Sequence, residues 1–265
     1  MTDNYANLRF ERDGSVAIIT INRPQAGNAI DIPMAHELLH AAIACDCDAG
    51  IRAVLLRSEG KLFCAGGDVG AFAGAGDKVP DLISEETAYL HAAVARFAGM
   101  DKPLVTAVQG FAAGAGFSLA MLGDIVIAGK AAQFTLAYTA IGLTPDGGAS
   151  WLLPRLVGLR KAQQLILSNA RLSADEALDI GLLTDVVADE ALDDAGRDWA
   201  RRLAAGPTKA FARSRALLLA AYGETLEKHL ERESRGIVAS AGGADGKEGI
   251  AAFLEKRPPA FTGLS

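Results

Sequence analysis

The chain has 265 residues, of which 50% are hydrophobic and 22% are charged, a balance typical of a globular protein. Its net charge of −6 argues against nucleic acid as a partner. The first residues, MTDNYANLRFERDG, contain no apolar signal region, so we expect a cytoplasmic protein. Three cysteines are too few for a disulfide framework, and four scattered histidines predict no metal site.

Strands and helices alternate through the first two-thirds of the chain, and helices dominate the last third. The apolar run VAIITI (16–21) predicts a buried strand, and the glycine- and alanine-rich stretch 69–79 predicts a loop. Ser173, with Glu176 three residues later, predicts a helix that begins with a capping box. The remaining predictions are helix 32–45, strand 53–57, helix 80–97, strands 104–108 and 125–128, a β-rich stretch 133–143, and helices 159–167, 188–204, 207–222 and 224–240.

This order of elements predicts an α/β core in residues 1–205, which carries the functional site, and an all-helical region in residues 206–265. A helical region at the end of the chain cannot bury both of its faces by itself. We therefore expect it to pack on another subunit.

Residues 103–124, PLVTAVQGFAAGAGFSLAMLGD, contain no charge before Asp124. The length suits a membrane span of about 20 residues, but most of the apolar content is Ala and Gly, and Thr106 and Gln109 interrupt it. A buried strand and helix without chemistry remains open. A reactive site is the third interpretation, because a glycine turn between strand and helix aims backbone N–H groups at a ligand oxygen.

A second glycine turn, residues 64–68, also follows a predicted strand. One N–H from each turn could point at the same oxygen, which is the geometry of an oxyanion hole. Other glycine motifs fit less well. The run GAGFSL lacks the last glycine of a dinucleotide fingerprint, and Ser118 lies inside the predicted helix, where a hydrolase nucleophile would not be.

Four motifs follow one another along nearly the whole chain: INRPQAGNAID, LFCAGGDV, DKPLVTAVQGFAAGAGFSLAMLGDIVIAGKAAQF and FLEKRPPAF. Together they resemble the motifs of the crotonase, or enoyl-CoA hydratase/isomerase, superfamily. The resemblance implies a spiral of ββα units with a helical trimerisation region at the C-terminus. It also implies an acyl thioester of coenzyme A as the substrate, a homotrimer or a dimer of trimers, and no cofactor besides the coenzyme A of the substrate.

The same resemblance assigns roles by motif match. The oxyanion donors fall on the N–H groups of Gly67 and Ala115. The two glutamates with which the family's hydratases deliver water would fall at Ser118 and Tyr138, and neither is a carboxylate here. Because water activation needs a general base, simple hydratase activity is not expected. Asp146 matches the single aspartate of the family's isomerases, although Pro-Asp-Gly-Gly is also ordinary turn chemistry.

Two further positions resemble the family's aryl-CoA dehalogenases, which carry a catalytic histidine at the place of His91, a tryptophan at that of Tyr138, and an aspartate nucleophile at that of Asp146. A surface histidine and a core aromatic are the plain structural interpretations. By the resemblance, His91 and Tyr138 are instead expected to contact the substrate, with Tyr138 lining the acyl pocket. The family's coenzyme A contacts fall on Ala65, Asp68, Val69, Phe253 and Lys256.

We expect a double-bond isomerase that acts through a thioester enolate, with Asp146 as its acid and base. A hydrolytic enzyme, either a dehalogenase or a thioesterase with Asp146 as nucleophile, is the alternative. A non-catalytic protein that binds CoA esters is the third interpretation.

Overall fold

The structure, a computed structural model, describes residues 5–263. Its strands are β1 (Leu8–Asp13), β2 (Val16–Ile21), β3 (Ala53–Ser58), β4 (Leu104–Val108), β5 (Phe111–Ala113), β6 (Ile125–Gly129), β7 (Gln133–Thr135), β8 (Leu172–Ser173) and β9 (Asp185–Val187). One sheet has the order β1-β2-β3-β4-β6-β9 and is parallel except for the antiparallel pair β1–β2. A second, smaller sheet has the order β5-β7-β8.

Helices surround these sheets and make up the end of the chain. They are α1 (Ile32–Cys47), α2 (Val69–Ala75), α3 (Val79–Gly99), α4 (Ala115–Ala120), α5 (Ala149–Val157), α6 (Leu159–Ser168), α7 (Ala174–Asp179), α8 (Leu192–Ala204), α9 (Thr208–Ala220), α10 (Leu226–Gly242) and α11 (Ala244–Glu255). Within the described part of the chain, every helix is too short or too polar to cross a bilayer.

The larger sheet is covered on both faces, and all six residues of β2 are therefore buried. Because successive side chains of a strand point to opposite faces, β2 contributes to two separate cores. Ile19 and Ile21 belong to the core that includes α1 and α3, whereas Val16 and Ile18 belong to the core closed by α8. The predicted α/β class is confirmed.

Two predicted elements need correction. The loop expected at 69–79 is wrong, because α2 covers Val69–Ala75, a 3-10 turn covers Gly76–Lys78, and α3 begins at Val79. The side chain of Asp68 accepts the N–H of Ala71 over 3.0 Å and caps α2. The β-rich stretch 133–143 forms a strand only at Gln133–Thr135. Ala137 then adopts a φ of +56°, which turns the chain out of the sheet. The capping box at Ser173 is confirmed, with both of its hydrogen bonds present.

The helices α9, α10 and α11 follow the predicted boundary at 205/206, and the boundary itself stays a prediction. These helices leave large apolar side chains exposed: Leu218, Leu219, Leu226, Leu230, Ile237, Val238, Ile250, Phe253 and Leu254.

Candidate active site

The two glycine turns lie side by side next to the smaller sheet. Cys64 and Ala112 form a parallel bridge between them. Beyond this bridge, a Cβ built on Gly114 would lie 3.6 Å from Cα of Gly66, so the residues that immediately precede Gly67 and Ala115 are in contact. Glycine is needed for this approach, because a Cβ built on Gly66, whose φ is +102°, would lie 3.0 Å from a backbone carbonyl oxygen of the other turn.

The N–H groups of Gly67 and Ala115 have no hydrogen-bond acceptor among residues 5–263. Gly67 forms a parallel bridge with Ile30, but its neighbours Gly66 and Asp68 make the hydrogen bonds of that bridge. The N–H of Gly67 therefore points to the opposite side. Ala115 is the first residue of α4, so its N–H has no partner inside the helix. Both donors are available to a ligand oxygen, and their catalytic role stays a prediction.

Asp146 lies in the turn before α5 and is held by side chains from three other parts of the chain. Tyr138 donates from its hydroxyl to Asp146 Oδ1 over 2.6 Å, and His91 Nε2 lies 3.2 Å from Asp146 Oδ2. Ser118 of α4 donates to the backbone carbonyl of Asp146 over 3.0 Å. The fold thus brings together four residues that the motif match had singled out separately.

The nitrogen Nε2 of His91 faces two groups that require opposite protonation states. The N–H of Gly147 donates to it over 3.2 Å, which requires a lone pair, whereas a hydrogen bond to ionised Asp146 requires a proton. When Nε2 gains a proton, it therefore loses the hydrogen bond from the Gly147 N–H and gains one to Asp146 Oδ2. Since the side chain of His91 is 49% exposed and its Nε2 lies 3.2 Å from Asp146 Oδ2, it can carry a proton between that carboxylate and solvent.

Tyr138 is held as a neutral hydrogen-bond donor. Burial, together with the charge of Asp146, raises the pKa of its phenol. The preceding residue, Ala137, has a positive φ that residues with a Cβ rarely adopt, and such strain is typical of functional sites. Ser118 and Tyr138 therefore place neutral hydroxyl groups at the two positions matched to hydratase glutamates.

Glu86, on α3, is a buried carboxyl group that the sequence prediction missed. The residue is 4% exposed, and its Oε2 has no hydrogen-bond partner within residues 5–263. Burial, followed by repulsion from Asp146, Asp31 and Asp68, raises the pKa of this carboxyl to about 7. Helical spacing was the available signal, because the buried residues of α3 are Glu86, Leu90, Ala93 and Phe97.

Three of the residues matched to coenzyme A contacts lie in the glycine turn at 64–68 or directly after it. Ala65 is exposed, and Val69 at the start of α2 is 54% exposed. Asp68 already has structural partners. Its carboxylate caps α2 at Ala71 and pairs with Arg23 over 2.8 Å, and these contacts lower its pKa. A ligand that contacts Asp68 would meet a carboxylate whose position is fixed.

The other two coenzyme A candidates lie at the end of α11. Phe253 is 83% exposed and lines a cavity of about 390 Å³ between α9, α10 and α11. Lys256 terminates α11 in the left-handed conformation, with a φ of +54°. Within residues 5–263, no hydrogen bond or ion pair joins either residue to Asp146, Tyr138 or His91. In the same range, His, Cys, Asp and Glu side chains form no group suited to holding a metal ion.

Comparison with known proteins agrees with this architecture. The enoyl-CoA hydratase/isomerase family model matches residues 11–264. A Rhodobacter capsulatus protein named a probable enoyl-CoA hydratase is 38% identical, with 98% of this chain and 99% of the relative covered. The 1,2-epoxyphenylacetyl-CoA isomerase of Escherichia coli K12 is also 38% identical, with 94% and 95% covered.

A solved structure shows the same fold. The crystal structure of an enoyl-CoA hydratase from Polaromonas sp. JS666 superimposes with a TM-score of 0.91 at 33% identity, covering 96% of this chain and 99% of the other. The chain belongs to the enoyl-CoA hydratase/isomerase family and has the crotonase fold. The predicted family and fold are confirmed.

Proposed function

We propose that the protein is an enoyl-CoA double-bond isomerase in which Asp146 acts as acid and base. One observation carries the proposal. Asp146 is held in place by Tyr138 and Ser118, and these two residues put neutral hydroxyl groups where a hydratase would need carboxylates. Because neither hydroxyl can act as a general base for water, proton transfer on the acyl chain itself is the chemistry that remains to Asp146.

The proposed reaction begins with removal of a proton from C2 of a 3-enoyl thioester by the carboxylate of Asp146. The electron pair of the broken C–H bond moves into the enolate, and the thioester oxygen becomes negative. The N–H groups of Gly67 and Ala115 stabilise that charge, and the loss of one such donor typically costs about 3–4 kcal/mol. Return of a proton at C4 moves the double bond to C2–C3, and water is not consumed.

A steady-state assay with 3-hexenoyl-CoA tests the proposal. The wild-type protein should form 2-hexenoyl-CoA, and Asp146→Asn, which keeps an acceptor for Tyr138, should lose at least about 100-fold in kcat. Undiminished turnover by the variant would overturn the assignment. A 3-hydroxyacyl product from 2-hexenoyl-CoA at a comparable rate would instead identify a hydratase.

His91 favours a second candidate, a hydrolytic enzyme with Asp146 as nucleophile, because a histidine 3.2 Å from the carboxylate could activate water for the second half of such a reaction. Mass spectrometry of protein mixed with aryl- and acyl-CoA thioesters distinguishes the two. A covalent adduct on Asp146 supports hydrolysis, and its absence during turnover supports isomerisation. Tight binding of acyl-CoA without any product would instead identify a binding protein.

The proposed substrate is an acyl thioester of coenzyme A, and no separate cofactor is needed. The coenzyme A part of this substrate contacts Ala65, Asp68, Val69, Phe253 and Lys256. We place the protein in the cytoplasm. The exposed apolar side chains of α9, α10 and α11 support a homotrimer or a dimer of trimers. Light scattering after size-exclusion chromatography tests this, and a monomeric mass would contradict it.

A further inference from the structure

Glu86 is a carboxyl group whose burial its described neighbours leave unexplained. It lies on the apolar face of α3 and is 4% exposed, and within residues 5–263 its Oε2 has no hydrogen-bond partner. A buried carboxyl oxygen without a partner is costly, and such groups are usually found in functional sites. In the described part of the chain, neither a cap nor an ion pair accounts for its position.

The carboxyl group of Glu86 lies against the glycine turn that carries one of the two free N–H groups. A Cβ built on Gly67 would lie 3.5 Å from Glu86 Oε1 and 2.9 Å from Cζ of Phe72. The carboxyl and the aromatic ring thus border the same small space beside Gly67. Any acyl group whose thioester oxygen accepts the N–H of Gly67 would begin its path next to this carboxyl.

The charges that face Glu86 come from three directions, and all are negative. Asp31 and Asp68 stand at the starts of α1 and α2, and Arg23 bridges both of them at 3.2 and 2.8 Å. Asp146 approaches from the turn before α5 and has its own partners in Tyr138 and His91. Burial, and then repulsion by these three carboxylates, favours the neutral form and raises the pKa of Glu86 to about 7.

The two carboxyl groups of the site therefore have different surroundings. Asp146 is an acceptor, fixed by the hydroxyl of Tyr138. Within residues 5–263 no donor hydrogen-bonds Glu86 Oε2, and the raised pKa lets Glu86 retain its proton up to about neutral pH. Pairs of carboxyl groups separated in this way commonly divide the roles of base and acid.

We propose that Glu86 is a second catalytic carboxyl group, which donates its proton to the acyl chain on the Gly67 side of the site while Asp146 removes one. The inference rests on the proposed isomerase function for the identity of the reaction. With Glu86 as the acid and Asp146 as the base, each of the two residues makes one of the two proton transfers.

Asp146 takes the proton from C2, and the electron pair of that bond enters the dienolate. Glu86 gives its O–H proton to C4, the new C–H bond takes its electron pair from the dienolate, and the O–H pair stays on Glu86 as a carboxylate. Before the next turnover Asp146 loses its proton to solvent through His91, and Glu86 regains one from water.

Two reactions of one probe, 3-hexenoyl-CoA in D2O, separate the roles. Exchange of the C2 hydrogen, followed by mass spectrometry of the recovered substrate, requires only Asp146 and the enolate. Conversion to 2-hexenoyl-CoA also requires the acid. We expect Glu86→Gln to retain C2 exchange within about threefold and to lose at least about 100-fold in isomerisation. Glu85→Gln, at the exposed neighbour on α3, is the matched control and should behave as wild type.

The pH dependence of the wild-type enzyme is the second measurement, and it requires no variant to fold. Isomerisation should fall above about pH 7, since it needs protonated Glu86, while C2 exchange should persist. Isomerisation by Glu86→Gln within threefold of wild type, or loss of exchange together with isomerisation, would overturn the role of Glu86. Absence of C2 exchange in the wild type would instead refute the enolate mechanism, and with it the inference.

Discussion

The raised pKa of Glu86 makes the stability of the protein depend on pH in a direction opposite to that of most carboxyl groups. At low pH the carboxyl is protonated in both folded and unfolded chains. As the pH rises above its ordinary pKa of 4.5, the unfolded chain releases the proton, whereas the folded protein retains it up to about pH 7. The folded state then binds more protons than the unfolded state, so the free energy of unfolding falls over this range.

The size of the effect follows from the two pKa values. The difference between 4.5 and about 7, at about 1.4 kcal/mol for each pKa unit, corresponds to about 3 kcal/mol. In Glu86→Gln the amide does not ionise, so this loss disappears. We therefore expect the free energy of unfolding of the variant, relative to wild type, to rise by about 3 kcal/mol between about pH 4.5 and about pH 8.

Urea denaturation at fixed protein concentration, followed by tryptophan fluorescence at several pH values, measures this difference. Only its change with pH matters, so a constant cost of replacing the carboxyl by an amide cancels. Glu85→Gln, whose side chain is exposed, should follow the wild-type curve. If the difference in free energy of unfolding between Glu86→Gln and wild type stays constant with pH within about 0.5 kcal/mol, Glu86 does not have a raised pKa in the folded protein.

Three further changes have defined outcomes. Gly67→Ala would place a methyl group 2.9 Å from the ring of Phe72 and displace the backbone there, so we expect kcat for 3-hexenoyl-CoA to fall about 10- to 100-fold. Adding Phe72→Leu to this variant should restore part of the lost kcat. Tyr138→Phe removes the hydroxyl that orients Asp146, so we expect kcat to fall about 10-fold or more. The Kd of acyl-CoA, measured by calorimetry, should change less than about twofold. Gly110→Ala combines a φ of +58° with a backbone oxygen 1.9 Å from the new Cβ, and we expect urea denaturation to show a loss of about 3 kcal/mol. A wild-type kcat in Gly67→Ala or Tyr138→Phe, a Kd of acyl-CoA changed more than about twofold in Tyr138→Phe, or a wild-type free energy of unfolding in Gly110→Ala would contradict the respective prediction.

Much of the fold could be predicted from the sequence because local signals were strong. The run VAIITI forms a fully buried strand, and the spacing of Ser173 and Glu176 gives a complete capping box. The stretch 69–79 has no hydrophobic period, so its helix could not be predicted. That helix depends on the cap from Asp68, whose carboxylate is fixed by Arg23, 45 residues away in the chain.

The candidate site was predictable only as separate positions. The motif match supplied Asp146, His91 and Tyr138, but the contact between His91 and Asp146 spans 55 residues and appears only in the folded chain. Glu86 was missed because a carboxylate within SEETAY looks like a solvated helix face. Its burial becomes apparent only once α3 packs its Leu90 face against the core.

In the proposed mechanism, Asp146 removes a proton from the acyl chain to form a thioester enolate. Exchange of the C2 hydrogen of 3-hexenoyl-CoA in D2O, compared between wild type and Asp146→Asn at equal saturation, measures this step without the later ones. We predict that exchange falls at least about 100-fold in the variant, while the Kd of the acyl-CoA stays within about threefold. C2 exchange that continues at the wild-type rate in Asp146→Asn would contradict the role of Asp146 as the base.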